Sequence, residues 1–184
     1  MEKLKIAYPI IVEGKYDKIK LDSLLDADVF TTDGFGIFSS EEKVSLFRAL
    51  AEKQGKTLKT DIPTVIHQYT GAMLALEDFG RDIVNDDILS AIECHTTGKE
   101  GMTPLDKMLF VADFTEAGRK YRSCLEFREY LHDGCEKINK NDKNARYQLL
   151  DDVTKRIVGY TITYLTEKGK KIDPAMIEAW NSMV

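Results

Sequence analysis

HTTGKEGMTPLDKMLFVADFTEAGR, residues 95–119, is the stretch that decides the fold of this chain. Inside it, Thr103 and Pro104 indicate a helix start, because threonine is a favourable N-cap and proline fits the first helical turn. The letters that follow, LDKMLFVADF, have apolar residues three and four positions apart, which is the spacing of an amphipathic helix. The stretch therefore predicts an α-helix that Thr103-Pro104 opens.

Helical patterns also flank this stretch on both sides. In chain order they are VIHQYTGAMLALEDF after Pro63, ILSAIECH after Asp86-Asp87, CLEFREYL near residues 124–138, YQLLDDVTKRIVGYTITYLTEKG from about residue 144 to 169, and AMIEAW after Asp173-Pro174. Residues 56–184 are therefore predicted to form an α domain of about six helices.

The amino-terminal part of the chain has a different pattern. KIAYPIIV, residues 5–12, is a short Ile- and Val-containing run typical of a buried strand, and DVFTT, residues 28–32, predicts a second strand. The charged amphipathic segment KYDKIKLDSLL between them predicts a helix, so the order is βαβ. Ser39, with Glu42 three residues later, indicates the capped start of a further helix that stops at Gly55. We expect a βαβα unit over residues 1–55 and a fold that is mainly α.

Composition excludes several classes of protein. The 184 residues are 43% hydrophobic and 31% charged, which is the balance of a globular chain and not of a disordered one. Lys and Arg total 26 against 31 Asp and Glu, so the net charge of −5 lacks the diffuse basic field of a nonspecific nucleic-acid binder. No apolar run approaches the roughly 20 residues that span a bilayer, and the short amino-terminal run, followed by charge, does not suit a signal peptide. We expect a cytoplasmic protein with no membrane partner.

The string IIVEGKYDKIKLDSLLDADVFTTDGFGIF, residues 10–38, resembles the opening of toprim domains, especially small bacterial toprim proteins related to the nuclease that matures 5S ribosomal RNA. Glu13 follows the buried strand, at the edge where open α/β sheets bind ligands, and Gly14 permits a tight turn there. The resemblance implies that Glu13 acts near Mg²⁺ and phosphate. It ends near residue 54, and the metal-holding D-x-D motif of toprim enzymes has no counterpart here. A surface pairing of Glu13 with Lys15 or Lys18 is the alternative.

A longer resemblance covers residues 67–181. HQYTGAMLA from His67, the stretch from His95 quoted above and the closing IDPAMIEAWN resemble the bacterial HD-domain hydrolases that split diadenosine tetraphosphate symmetrically into two ADP. That family uses two metal ions bridged by an aspartate. The resemblance implies an HD-like helical bundle in which His67 and His95 hold one metal ion, Asp113 holds the other, and Arg119 faces a phosphate. Iron or manganese would be the divalent metal and a nucleotide the substrate.

The chain departs from the family pattern upstream of His67. The family has an early histidine and a consecutive His-Asp pair there, whereas the three histidines of this chain are His67, His95 and His132. The helices that carry those first ligands are therefore missing from the HD-like domain of residues 56–184. Asp33 stands about one helix ahead of His67 and is our candidate for the bridging carboxylate. A consecutive His-Asp pair does occur downstream, at His132-Asp133, but we expect it to lie on the surface.

Three hypotheses about function follow. The first is an HD-type, metal-dependent phosphohydrolase that acts on dinucleoside polyphosphates. The second is a noncatalytic nucleotide- or metal-binding protein that arose from the fusion of two genes. The third is a toprim-type nucleic-acid-binding protein that uses Glu13 with Mg²⁺, and only this third hypothesis makes nucleic acid a partner. Whether the chain is an enzyme stays open at this stage.

The two predicted strands also bear on assembly. A sheet of two parallel strands leaves hydrogen-bonding edges and apolar faces that need cover. We expect this cover to come either from the helical domain or from a homodimer that pairs the amino-terminal strands across its interface.

Overall fold

The computed structural model describes residues 3–5, 10–12, 15–26, 29–31, 45, 60 and 62–184. The chain divides into two compact units, Met1–Thr57 and Leu58–Val184. The fold is mainly helical, which confirms the fold class predicted from the sequence. Within these described ranges no helix is both long enough and apolar enough to cross a membrane.

The described part of the first unit contains short parallel strand pairs and one helix. Its elements are β1 (Leu4–Lys5), β2 (Ile10–Val12), α1 (Lys15–Leu24), β3 (Leu25–Asp26) and β4 (Val29–Thr31). Strand β1 pairs with β3, and β2 pairs with β4 in the register that places Ile10 opposite Val29. The order β2–α1–β4 is the βαβ arrangement that the β-branched runs predict. The helix predicted after Ser39 lies outside the described residues except for Ser45, and the homodimer through these strands stays a prediction.

Six helices make up the second unit between residues 62 and 184. They are α2 (Pro63–Phe79), α3 (Asp86–Cys94), α4 (Pro104–Phe114), α5 (Arg122–Lys137), α6 (Lys143–Glu167) and α7 (Pro174–Met183).

Local capping residues explain where these helices begin. The Asn85 side chain accepts the N–H of Ile88 at the start of α3, and the Asp173 side chain accepts the N–H of Ala175 at the start of α7. Helix α4 begins with a complete capping box, in which Thr103 and Asp106 each bind the backbone N–H of the other. Such caps satisfy N–H groups that have no partner inside the helix, so short sequence motifs suffice to fix helix starts.

The core of the second unit is built around α6. Val153, Ile157 and Val158 on this helix are completely buried, and α6 packs against α4, α5 and α7. Helix α2 packs on α3, and α3 packs on α4. Because α3 ends at Cys94, the packing of α2 on α3 fixes how residues of α2 face the segment that follows α3.

Candidate functional site

The structure brings His67 and His95 together. His67 lies on α2, and His95 is the C-cap residue of α3, 28 positions further along the chain. The Nε2 atoms of the two rings are 2.9 Å apart, and the rings meet edge to face with centroids 4.8 Å apart. Two imidazoles that the sequence resemblance assigns to one metal ion are thus neighbours in space.

A backbone contact fixes the proton of His95. Its Nδ1 lies 2.7 Å from the carbonyl oxygen of Ile92. Because a carbonyl oxygen only accepts, Nδ1 carries the hydrogen, and the Nε2 of the neutral ring then has a lone pair that points toward His67. Metal-binding histidines use this arrangement, in which one ring nitrogen donates to a fixed acceptor and the other is left for the ligand.

The surroundings of His67 keep its ring neutral. Burial, followed by the neighbouring His95, lowers the pKa of His67 from 6.5 to about 4; Arg119 acts in the same direction, and a hydrogen bond with the backbone of Thr64 opposes the shift. The hydroxyl of Thr96 lies 3.0 Å from Nε2 of His67. A neutral imidazole is the form that binds a metal ion.

The spacing of the imidazole pair fits a shared cation. Ligand nitrogens that sit about 2.1 Å from a metal ion, at right angles to one another, would be roughly 3 Å apart. The separation of 2.9 Å between the two Nε2 atoms matches this value, and it is also the length of the N–H···N hydrogen bond that the two rings form without a cation. Within the described residues, however, no group of three or more His, Cys, Asp or Glu side chains is arranged to hold a metal ion.

Asp113 and Arg119 form an ion pair at the carboxyl end of α4. Their side chains meet at 2.6 Å and are 34% and 25% exposed, respectively. Arg119 also lies near enough to His67 to influence its pKa. The structure therefore joins Asp113 to Arg119 in an ion pair, and the role of Arg119 at a phosphate stays a prediction. The assignment of Asp113 to a metal ion stays a prediction.

Glu13 and Asp33 lie outside the described residues. The roles proposed for them, Glu13 in a toprim-like site and Asp33 as a bridging carboxylate, stay predictions. His132 and Asp133 lie on α5, and both are exposed.

Gln68, whose side chain is completely buried, was not predicted as a site residue. Its Oε1 accepts the N–H groups of Thr96 at 3.2 Å and Thr97 at 3.3 Å, and its Nε2 donates to the hydroxyl of Thr97 at 3.1 Å. One signal was available. Gln68 stands three residues after Val65 and four before Ala72, which are buried, and a polar side chain on an apolar helix face needs an internal partner.

Arg128 on α5 was also missed. Its guanidinium donates to the carbonyl oxygens of Thr115 at 2.8 Å and Arg119 at 3.1 Å, and also to that of Glu116. These carbonyls belong to the end of α4 and the turn after it, so Arg128 holds the segment that carries Arg119. The sequence contains no signal for this, because the contact joins residues on different elements.

Comparisons with known proteins agree with the two resemblances. No family model matches the chain. The chain is 31% identical, over 133 residues, to the symmetrical bis(5'-nucleosyl)-tetraphosphatase of Bacillus subtilis, a match that includes 72% of this chain and 62% of that protein. It is 37% identical over 59 residues to ribonuclease M5 of Mycoplasma genitalium, with 32% of each chain included.

A solved structure agrees as well. A predicted HD superfamily hydrolase involved in NAD metabolism, from Clostridium acetobutylicum, superposes with a TM-score of 0.59 at 26% identity, over 76% of this chain and 67% of that one. The chain spans 55% to 62% of the length of the curated tetraphosphatases that it matches at about 30% identity. The carboxyl-terminal part of the chain thus resembles the symmetrical bis(5'-nucleosyl)-tetraphosphatases and has the helical fold of the HD superfamily hydrolases, while a short amino-terminal part resembles ribonuclease M5.

Proposed function

We propose that the chain is a metal-dependent phosphohydrolase of the HD type, which splits dinucleoside tetraphosphates symmetrically and so converts diadenosine tetraphosphate to two ADP. The observation that carries the proposal is the meeting of His67 and His95, from separate parts of the chain, with their Nε2 atoms 2.9 Å apart. The likeness to HD superfamily hydrolases supports it.

The two imidazoles would hold a divalent cation, with iron or manganese as the proposed metal. Such an ion, when bound, lowers the pKa of a bound water and neutralises charge on phosphate oxygens. The protein prepares the pair by keeping His67 neutral through burial and by fixing the Nδ1 hydrogen of His95 on the carbonyl of Ile92. With its Nδ1 hydrogen fixed, His95 accepts through Nε2 from the Nε2–H of His67 in the free protein, so that hydrogen of His67 would have to move to Nδ1 before both Nε2 atoms could bind a cation.

Arg119 would bind a phosphate of the substrate. Its guanidinium is always charged at neutral pH and offers paired donors that suit phosphate oxygens. In the structure Asp113 accepts from this guanidinium at 2.6 Å, which restricts its orientation. Asp113 would thereby position the arginine for a phosphate that approaches.

A second candidate function is binding of a nucleotide or metal without turnover. The specific observation in its favour is that the described residues contain no metal-ligating group of three or more side chains. A pair of imidazoles alone would bind a cation weakly and would leave the nucleophile unplaced. Under this alternative, diadenosine tetraphosphate or Mn²⁺ would raise the melting temperature, and no ADP would form.

The toprim-like hypothesis rests on the likeness to ribonuclease M5 over 59 residues. Under it, the protein would bind RNA or DNA in the presence of Mg²⁺, with an affinity that falls steeply as salt rises. Glu13→Gln would abolish that binding. Equal binding by the wild-type protein and Glu13→Gln would rule this candidate out.

One experiment tests the leading proposal. The metal content of the purified protein is measured by elemental analysis, and ADP release from diadenosine tetraphosphate is assayed with added Mn²⁺. We expect His95→Ala to lose the metal and at least about tenfold in activity, because a ligand is removed. The matched control is His132→Ala, since this histidine is exposed on α5 and far along the chain from the pair.

The control should keep both metal content and ADP release at the wild-type level. Protein that holds no metal and forms no ADP after incubation with iron or manganese would refute the proposal. Full ADP release by His95→Ala would refute it equally, because the imidazole pair would then have no part in the reaction.

A further inference from the structure

We propose that Gln68 is a positioning residue that holds the segment Thr96–Thr97 against α2 and thereby sets the 2.9 Å separation between the Nε2 atoms of His67 and His95. The inference rests on the proposed function for the identity of the cation that the pair would bind. The spacing itself is a property of the protein alone.

The residues of α2 and of the segment after α3 meet in the same order along both segments. His67 and Gln68 are consecutive on α2, and their partners are consecutive after α3: His67 contacts His95 and Thr96, while Gln68 binds Thr96 and Thr97. Any shift of the segment relative to α2 would therefore change the imidazole separation and the amide contacts together.

The side-chain amide of Gln68 provides hydrogen bonds that hold this segment against α2. Its side chain is 0% exposed, and its Oε1 accepts two successive backbone N–H groups, those of Thr96 and Thr97. These N–H groups follow the end of a helix, where a buried donor without an acceptor is costly. One side chain thus fixes both the position and the orientation of the backbone immediately after His95.

The backbone segment that Gln68 binds, around Thr97 and Gly98, is rigid. Thr97 is 1% exposed, and its hydroxyl, which accepts from Nε2 of Gln68, donates to the carbonyl oxygen of Gly98 at 2.8 Å. Gly98 adopts a φ of +68°, and a Cβ there would lie 3.1 Å from the Cβ of Ala179 on α7. The segment is hydrogen-bonded to Gln68 on one side and packed against α7 on the other. Its backbone therefore has little room to move.

The test compares the full chain with Gln68→Met, which keeps the length of the side chain and removes its donor and acceptor. The main readout is the scalar coupling across the hydrogen bond between the two Nε2 atoms, measured by NMR on protein with ¹⁵N-labelled histidine. We expect the wild-type protein to show this coupling and Gln68→Met to lose it. The second readout is calorimetric titration with Mn²⁺ alone, for which we expect Gln68→Met to bind about tenfold to a hundredfold more weakly.

Two further variants separate positioning from general stability. Thr154→Val removes another fully buried hydroxyl, one that donates to the carbonyl oxygen of Leu150 on the same helix, and should leave the coupling and the Mn²⁺ affinity unchanged. Gln68→Glu keeps the oxygen that accepts both N–H groups and should recover at least part of the coupling. The proposal is wrong if the coupling persists in Gln68→Met, or if Thr154→Val loses it to the same extent.

If Gln68→Met does not fold, Thr97→Val decides, because it removes only the hydroxyl that Gln68 binds through Nε2. We expect a weaker coupling in that variant, and an unchanged coupling would overturn the proposal. Failure of the proposed function has a different signature. Wild-type protein that forms no ADP, or binds no Mn²⁺, while its imidazole coupling depends on Gln68, would refute the phosphohydrolase and leave the positioning role intact.

Discussion

At the scale of single residues, the local environment lowers the pKa of His67 and so keeps its imidazole neutral. His67 lies partly buried on an apolar helix beside a second imidazole, and burial and His95 both disfavour its charged form. The contact of His95 with the carbonyl of Ile92 selects one tautomer. The protonation of the two imidazoles thus depends on two hydrogen-bonding contacts, one between the rings and one between His95 and the backbone of Ile92.

This environment predicts a pH dependence of stability. The pKa of His67 is about 4 in the folded chain and about 6.5 when unfolded, so as pH falls the unfolded chain takes up a proton first. Stability that is complete above pH 6.5 is therefore lost progressively toward pH 4. We expect the free energy of unfolding by urea to fall by on the order of 2 kcal/mol between pH 7 and pH 5 through this group alone.

The measurement compares three proteins by urea titration at several pH values. The free energy of unfolding of His67→Gln should fall less steeply with decreasing pH than that of the wild-type protein. The variant lacks the imidazole that binds a proton more readily in the unfolded chain than in the folded one. His132→Gln, a change at an exposed position, should keep the wild-type decline. Parallel curves for His67→Gln and the wild-type protein would contradict the prediction.

At the scale of elements, the junction of α3 and α4 depends on one buried carboxylate. Asp106 is 0% exposed; it accepts from the hydroxyl of Ser90 at 2.6 Å and the N–H of Thr103 at 2.8 Å, and it pairs with Lys99 at 3.1 Å. Burial alone would raise its pKa, but the contacts from Ser90, Thr103 and Lys99 outweigh it and keep the pKa of Asp106 below its usual value. The same residue therefore caps α4 and ties it to α3 and the intervening loop.

Removal of this carboxylate should destabilise the fold strongly. We expect Asp106→Ala to cost about 3 kcal/mol of the free energy of unfolding, because it removes the cap on the Thr103 N–H, leaves the ammonium group of Lys99 without this partner and removes the hydrogen bond from Ser90. A suitable comparison is Asp86→Ala, which removes a first-turn carboxylate of α3 that is also ion-paired but is 93% exposed.

Denaturant unfolding measures both variants. The change at Asp86 should have a much smaller effect, since exposed ion pairs contribute little. Equal losses for the two variants would show that burial of Asp106 does not matter.

At the scale of the whole helical unit, the last helix closes the structure. Asp173, at the start of α7, accepts from the hydroxyl of Thr60 at 2.6 Å, a contact across 113 positions of sequence. Further along α7, Trp180 packs on α6 at Gly159, where a Cβ would lie 2.8 Å from a ring carbon. The first and last segments of the unit are thus held together through α7.

The close approach at Gly159 predicts a specific cost. Gly159→Ala should be less stable than Gly134→Ala by about 1 kcal/mol or more, since both gain the same helix propensity inside a helix but only the first meets a rigid ring. At Gly134 the nearest atoms are the flexible end of Leu149. Trp180 is the one tryptophan in the chain, so its fluorescence reports directly on this packing.

The expected result is a shifted emission maximum and a lower midpoint of unfolding for Gly159→Ala, with unchanged emission for Gly134→Ala. An equal or higher stability of Gly159→Ala would show that the ring moves aside without cost.

The sequence by itself determined the helical fold class and the starts of α3, α4 and α7. Each of these starts depends on residues within one turn of each other, such as Thr103 with Asp106, so the information is local. Motif resemblance also singled out His67 and His95, whose shared role in one metal site stays a prediction. The strand pattern between residues 5 and 32 gave the βαβ order for the same local reason.

The tertiary structure alone decided how those side chains meet. The spacing of the imidazoles, the pairing of Asp113 with Arg119 and the anchoring roles of Gln68 and Arg128 depend on contacts between different elements. The sequence pattern does not predict such contacts. They depend on how the apolar faces of the helices pack and on which buried polar groups must then find hydrogen-bond partners.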